Sequence, residues 1–363
     1  MDEKKEVTAH GRAGIQYSMQ KIRAAIHLKK IRENAKLFAT KSGVRLCAVV
    51  KANAYGHGAE EVVAALSGVA DCFAVAIVEE GLAIRGAACG KDVLVFTPPI
   101  TKEQAFAIAC NGFIGTVSDI QTAQLFLLVC EQYRLQVKVH LKVNTGMNRY
   151  GMDVRAVSKI CRLLQGTRVQ VTGVYSHLYD RKSAQWQREL FLQAERACKA
   201  FYPTACAHLS ATQGALLGER FSFDMVRVGI GLYGYVPKDC GVRAQDLGLR
   251  KAMTVYAQAI GSRSYRFGGA GYGEVTDLAQ GEQTTLLRVG YADGFLRNRE
   301  NGLIGKNRNV LCMDACIQTG TKNRGEWVCI MSDAEKTAAT TGTIPYEVLC
   351  AATRRAECVY DYE

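Results

Sequence analysis

The strongest constraint in this sequence is an alternation, kept up for about 190 residues, of short apolar runs with longer amphipathic stretches. The runs are VRLCAVVK (44–51), CFAVAIV (72–78), DVLVFTP (92–98), FIGTVSD (113–119), QVKVHLKVN (136–144), QVTGVYSH (170–177), CAHLSA (206–211) and MVRVGIGLY (225–233). Between most of them lie helical patterns such as AEEVVAALSG, DIQTAQLFLLVCEQY and AQWQRELFLQAERACKAF. Strands apolar on both faces belong in a parallel sheet covered by helices. Eight in succession predict an α/β fold, a TIM-like (β/α)8 barrel. A doubly wound open sheet is the alternative, because a strand count does not establish closure. After about residue 245, alternating stretches (AMTVYAQAIGS, TTLLRVGY, EWVCIMS, YEVLCAA) separated by Gly-, Asn- and Asp-rich turns predict a smaller, mostly β C-terminal domain. The expected division is a polar extension or linker at 1–20, the barrel at 21–240 and the β-rich domain at 241–363.

Several classes are excluded. No apolar run approaches the ~18 residues of a membrane helix, and the polar N-terminus lacks a signal-peptide core. The fourteen cysteines include no C-x-x-C, and most sit inside apolar segments, as free thiols do in a reducing compartment. A cytoplasmic protein, or the cytoplasmic domain of a longer membrane-anchored one, is expected, with no metal site. Lys and Arg outnumber Asp and Glu 46 to 34, but the excess is dispersed. It favours small anions over nucleic acid.

Four residues that carry chemistry fall at predicted strand ends: Lys51, Lys142, His177 and Arg227. A barrel's active site lies at that rim. A lysine finishing a buried strand loses solvation, and its amine becomes more nucleophilic. Each residue alone is more readily a solvated strand terminus; gathered at one rim they predict a site.

The motifs AVVKANAYGHG (48–58), HLKVNTGMNRYG (140–151), GVYSHL (173–178), HLSATQGALL (208–217), FDMVRVGIGLYG (223–234), GYG (271–273), RVGYADGFLR (288–297), CMD (312–314) and GTIPYEV (342–348) follow one another in a definite order. In that order the sequence resembles the alanine racemase family of fold-type III pyridoxal-phosphate enzymes, over roughly residues 21–363. The resemblance implies pyridoxal 5'-phosphate as cofactor, attached to Lys51 as a Schiff base. It also implies a homodimer with shared sites, in which Lys51 and the partner subunit's Tyr272 are the two acid/bases. Racemisation requires two such groups, one on each face of the substrate Cα. By the same resemblance Arg227 bonds the pyridine nitrogen, and His177 bonds Arg227 and Tyr272. The phosphate rests on Tyr55, Thr212 and the N–H groups of Gly229 and Ile230. Arg149 meets the substrate carboxylate or the cofactor phenolate oxygen. Met313 holds the carboxylate from the partner chain, and Asp314 supports its loop. Tyr291 narrows the channel, shaped by Asp293 and Arg297, and Lys142 occupies a position often carbamylated.

Departures from the family pattern cluster near the cofactor and the substrate end. Ala211 replaces an Asn, Thr212 a Ser and Asn144 an Asp; MDACIQTG (313–320) departs after CMD; and Arg354 lies where some members place a phosphate-contacting tyrosine. The implied reaction is conversion of L-alanine to D-alanine for peptidoglycan. The alternative is a serine racemase of the vancomycin-resistance kind, since a hydroxyl is weakly rejected by apolar pockets, by ~100-fold or less. A pyridoxal-phosphate carrier without turnover would share the lysine strand but lack the appended domain. A fold-type III decarboxylase would have a second domain without the GYG, GYADG and CMD segments.

Overall fold

The computed structural model describes residues 22–267, 271, 278–297 and 309–361. The expected extension at 1–20 and Tyr272 lie outside them. A strand, β1 (Ile22–His27), leads into the helix Leu28–Ser42. The barrel strands follow: β2 (Arg45–Val49), β3 (Cys72–Val75), β4 (Val93–Val95), β5 (Ile114–Val117), β6 (Val137–Lys142), β7 (Val169–Tyr175), β8 (Cys206–His208) and β9 (Met225–Val228). Each falls within one of the eight apolar runs, except that β7 begins one residue earlier than its run. They pair in parallel in the order β8-β7-β6-β5-β4-β3-β2-β9. The remaining seam is bridged: Asp224 N donates to Ala207 O (3.0 Å), Arg227 N to Ser210 O (2.9 Å) and Ala207 N to the Asp224 carboxylate (2.7 Å). The sheet therefore wraps into a barrel rather than lying open. β4, β5 and β9 are buried at every residue, as strands with helices outside and a packed interior must be.

The second domain contains β10 (Met253–Ser264), β11 (Gln283–Leu287), β12 (Asn309–Leu311), β13 (Cys316–Thr319), β14 (Trp327–Met331) and β15 (Glu357–Asp361), with helices Ala334–Thr341 and Pro345–Ala352 between the last two strands. Two expectations need correction. Residues 22–27 do not belong to the barrel. β1 pairs antiparallel with β10 and parallel with β15, inside the second sheet. Its burial alternates residue by residue, as does that of the first half of β10, so it is a strand with one covered face rather than two. YEVLCAA, expected to be extended, lies in the helix Pro345–Ala352. Proline suits a first helical position, and Pro345, Val348, Leu349 and Ala352 form the buried stripe at helical spacing.

All fourteen cysteines are unpaired. Among the described residues no helix is long and apolar enough to cross a membrane, and no group of side chains could hold a metal ion.

Asn34 ties the first helix to the connection between the domains. Its buried amide donates to Leu232 O (2.9 Å) and Arg250 O (2.8 Å) and accepts from Arg250 N (2.9 Å). Asn34→Ala strips partners from three backbone groups, at about 1–3 kcal/mol for each one left unsatisfied. Urea unfolding should show a loss of about 2–4 kcal/mol; a loss below about 0.5 kcal/mol would mean water replaces the amide.

Candidate functional site

A cavity of about 700 Å³ opens at the C-terminal ends of the barrel strands. Nine residues singled out in the sequence line it: Lys51, Tyr55, Lys142, Arg149, His177, Thr212, Arg227, Gly229 and Ile230. Others lie elsewhere. Tyr291 lines a separate cavity of about 390 Å³ in the second domain, Met313 is half-exposed, and Asp314 accepts a hydrogen bond from Arg355 (3.0 Å). Asp293 is buried beside Tyr291, accepts from Gly290 N (2.8 Å) and pairs with Arg355 (3.4 Å). None of these four lines the large cavity of its own chain.

Lys51 directly precedes an unusual piece of backbone. Ala52, Asn53, Ala54 and Tyr55 all have φ between 51° and 54°, making a left-handed turn. Non-glycine residues enter this region at about 1–2 kcal/mol each, so the surroundings must impose it. Ala54 N donates to Val50 O (2.8 Å) and Gly56 N to Ala52 O (3.0 Å). Ala59 N donates to the Asn53 side chain (2.8 Å) and Ala52 N to Glu80 Oε1 (2.7 Å). Glycine is required just beyond: a Cβ on Gly56, at φ 80°, would lie 2.5 Å from Leu349 O. The turn brings Lys51 and Tyr55 to one cavity. Burial, then the nearby Arg149 charge, lowers the Lys51 pKa, outweighing an opposing effect of Glu80.

Arg227 is buried, with no carboxylate partner among the described residues. One terminal nitrogen donates to His208 Nδ1 (2.8 Å) and His208 O (3.0 Å), and the other to Ser176 O (2.6 Å) and Leu209 O (3.1 Å). Four of five N–H groups are thereby used, and Nε–H is the donor left over. Because arginine only donates, His208 Nδ1 must accept. Its proton then sits on Nε2 and is donated to His140 Nδ1 (2.9 Å). The expectation that His177 bonds Arg227 is corrected: among the described residues the imidazole on the guanidinium belongs to His208. Both rings follow strand ends at this rim, and spacing alone does not say which one turns inward. Burial first, then Arg227, lowers the pKa of His140 to about 3 and of His177 and His208 well below the usual value.

The lining fits an anionic, aldehyde-bearing ring. The Tyr55 and Thr212 hydroxyls and the backbone at Gly229 and Ile230 form a cradle of donors, where a three-ten turn begins at Ile230. A Cβ on Gly229 would lie 2.5 Å from the Tyr55 hydroxyl. Only glycine leaves that approach open. Lys51 supplies an amine, and Arg227 a donor that keeps its proton. Lys142, also buried, lies over the Tyr175 ring (5.2 Å) and donates to Val143 O (3.0 Å). Burial, followed by Arg227 and Arg149, pushes its pKa well below the ordinary value.

Sequence reading did not identify Tyr346 and Cys350 as cavity residues, although both line it from the helix Pro345–Ala352. Tyr346 packs near the Tyr55 ring (6.0 Å between centroids). The phenol beside the phosphate cradle therefore comes from GTIPYEV, whereas Arg354 lines the smaller cavity. Helical spacing from Pro345 was the signal available: 346 and 350 fall four apart, on one face.

The buried histidines make stability depend on pH. His57 (pKa lowered to about 4, by burial) and His140 (about 3) stay neutral in the fold, but take up protons near pH 6.5 when unfolded. Between those values the unfolded state binds more protons, so stability falls as pH falls, by about 1.4 kcal/mol per pH unit for each histidine in this condition. Unfolding free energies measured from pH 7 to 4 should show this loss. His140→Asn should reduce the slope; an unchanged slope would mean His140 is protonated in the fold.

The profile of "Alanine racemase, N-terminal domain" matches residues 26–237, and that of "Alanine racemase, C-terminal domain" residues 252–360. The alanine racemase of a Nitratiruptor species is 31% identical over 344 residues, covering 88% of this chain and 94% of that protein. That of Symbiobacterium thermophilum is 32% identical over 372 residues, covering 94% and 97%. Among solved structures, alanine racemase of Clostridium difficile 630 superposes with a TM-score of 0.88 at 28% identity, covering 95% and 97% of the two chains. Alanine racemase from Bartonella henselae, solved with covalently bound pyridoxal phosphate, superposes with a TM-score of 0.82 at 26% identity, covering 94% and 99%. The barrel, the appended β-rich domain and the cavity at their junction are those of a pyridoxal-phosphate-dependent isomerase, and the chain belongs to the alanine racemase family.

Proposed function

We propose that this chain interconverts L- and D-alanine with pyridoxal phosphate held at Lys51, as one half of a homodimer with shared sites. The observation that carries this reading is the convergence on one cavity of a partly buried lysine with lowered pKa, a cradle of hydroxyl and backbone donors, and an arginine whose Nε–H has no partner among the described residues. When bound, the cofactor withdraws electrons from the substrate Cα and so acidifies its proton.

The chain's own residues do the rest. Tyr55, Thr212, Gly229 and Ile230 hold the phosphate. The Nε–H of Arg227 donates to the pyridine nitrogen and retains its proton, which limits electron withdrawal and restrains side reactions. Arg149 takes the substrate carboxylate. The Lys51 amine removes or returns the Cα proton on one face, helped by a pKa nearer working pH. Tyr272 of the partner subunit serves the opposite face, with His177 beside it. Lys142, whose pKa burial pushes well below the ordinary value, is suited to take up CO2 with loss of a proton to solvent, giving a carbamate anion beside Arg149.

Sharing of sites is supported by where the second domain keeps its residues. Tyr291, Met313 and Asp314 do not line their own chain's cavity, yet Tyr291 and Met313 are substantially exposed. They are therefore free to complete a cavity in another copy, with Met313 holding carboxylate through its N–H and Tyr291 narrowing the channel. A serine substrate is tested directly alongside alanine. Purified protein should turn over L-Ala faster than L-Ser, and a clear preference for serine would overturn the alanine assignment while leaving racemisation intact.

Lys51→Ala should lower racemisation by about 10³-fold or more and abolish borohydride-fixed cofactor on the 50–57 peptide. Fixation elsewhere would move the cofactor lysine. Tyr272→Phe should retain cofactor and lose racemisation to a similar extent. Mixing these two inactive variants should restore activity through hybrid dimers. No recovery after verified subunit exchange would show that each site is built from one chain.

A further inference from the structure

The left-handed turn after β2 needs a restraint from outside itself, and one carboxylate provides it. Glu80 stands in the first turn of the helix Val78–Ile84, in the connection that follows β3. Its Oε2 accepts from Ala76 N (2.7 Å) and Ile77 N (3.4 Å), at the end of β3. Its Oε1 reaches across to Ala52 N (2.7 Å), the first N–H of the turn. The other bonds that hold the turn come from its own neighbourhood, residues 50–59. Glu80 is the side chain that ties it to a different strand.

We propose that Glu80 is a positioning residue. By clamping Ala52 N against the end of β3, it holds residues 52–55 left-handed and so presents Lys51 and Tyr55 together to the cofactor cavity. This rests on the cofactor reading above. Both ends of the turn then depend on one carboxylate: the amine that holds the ring and the phenol that holds the phosphate. A carboxylate is needed rather than an amide. Backbone N–H donors approach both oxygens, and glutamine would set its NH2 against one of them.

The test compares the parent with Glu80→Gln and with Glu80→Gln/Ala52→Gly. Glycine adopts positive φ without the steric penalty of a side chain, so it replaces the clamp if holding the turn is what Glu80 does. It does nothing for a charge acting on Lys51. In the apoprotein, backbone hydrogen exchange over residues 50–57 should be faster in Glu80→Gln. The dissociation constant for pyridoxal phosphate should rise by about tenfold or more, as loss of a hydrogen bond to a charged group implies. Apoprotein Tm should change little, and Ala52→Gly should recover most of the affinity. Three results would each overturn the proposal: exchange over 50–57 like the parent; weakened binding that glycine does not recover; or a collapse of Tm that accounts for the loss. Failure of the parent itself to fix pyridoxal phosphate on Lys51 would instead refute the cofactor reading, and the exchange measurement would still decide the role of Glu80.

Discussion

A buried guanidinium, with no counter-ion among the described residues, governs the upper face of this barrel. Taking a full charge out of water is expensive unless dipoles replace the lost solvent. Around Arg227 they do: Ser176 O after β7, His208 O and Leu209 O from and after β8, and the lone pair of His208 Nδ1. Three strand ends are thereby drawn to one point. The same cation fixes the state of its neighbours. It obliges His208 to carry its proton on Nε2. After burial, which comes first, its charge also lowers the pKa values of His140, His177 and Lys142.

The other organising feature is local strain. A run of four non-glycine residues in the left-handed region contradicts what the sequence ANAY prefers by itself. Local and global preferences disagree in this way mainly where function sets the conformation. Here the disagreement falls between the lysine and the tyrosine of one motif, both of which line the large cavity.

How much of this was legible in the sequence depended on the range of the interaction. All eight barrel strands were, because burial of most of each strand leaves a short, largely apolar run at each one. Lys51, Lys142, His177 and Arg227 were also found, since they sit at strand ends that the barrel gathers at one rim, whereas Arg149 and the cradle residues came only from the resemblance to the family. The first strand was assigned to the wrong domain because its partners, β10 and β15, lie far along the chain and a short alternating run does not name them. YEVLCAA was misread because so few residues fit both periodicities, and Pro345 was the only arbiter. The choice of His208 over His177 as the ring on Arg227 depends on the tilt of two imidazoles at neighbouring strand ends, which no spacing encodes. Tyr346 entered the cavity unseen for a related reason: its helix belongs to the second domain, but packs over the barrel's mouth.

The placement of β1 gives the folding of the chain an unusual order of events. As the polypeptide emerges from a ribosome, β1 comes before every barrel strand, yet its hydrogen-bonding partners are made only after the whole barrel. The barrel can close while Ile22–His27 still offers unpaired edges, the kind of backbone that other chains readily add to. Only when β10 and β15 arrive on either side does that strand become central in its sheet. Completion of the second domain is thus also the step that covers both edges of β1, and it joins the two domains through a segment that precedes the barrel and pairs only with strands that follow it.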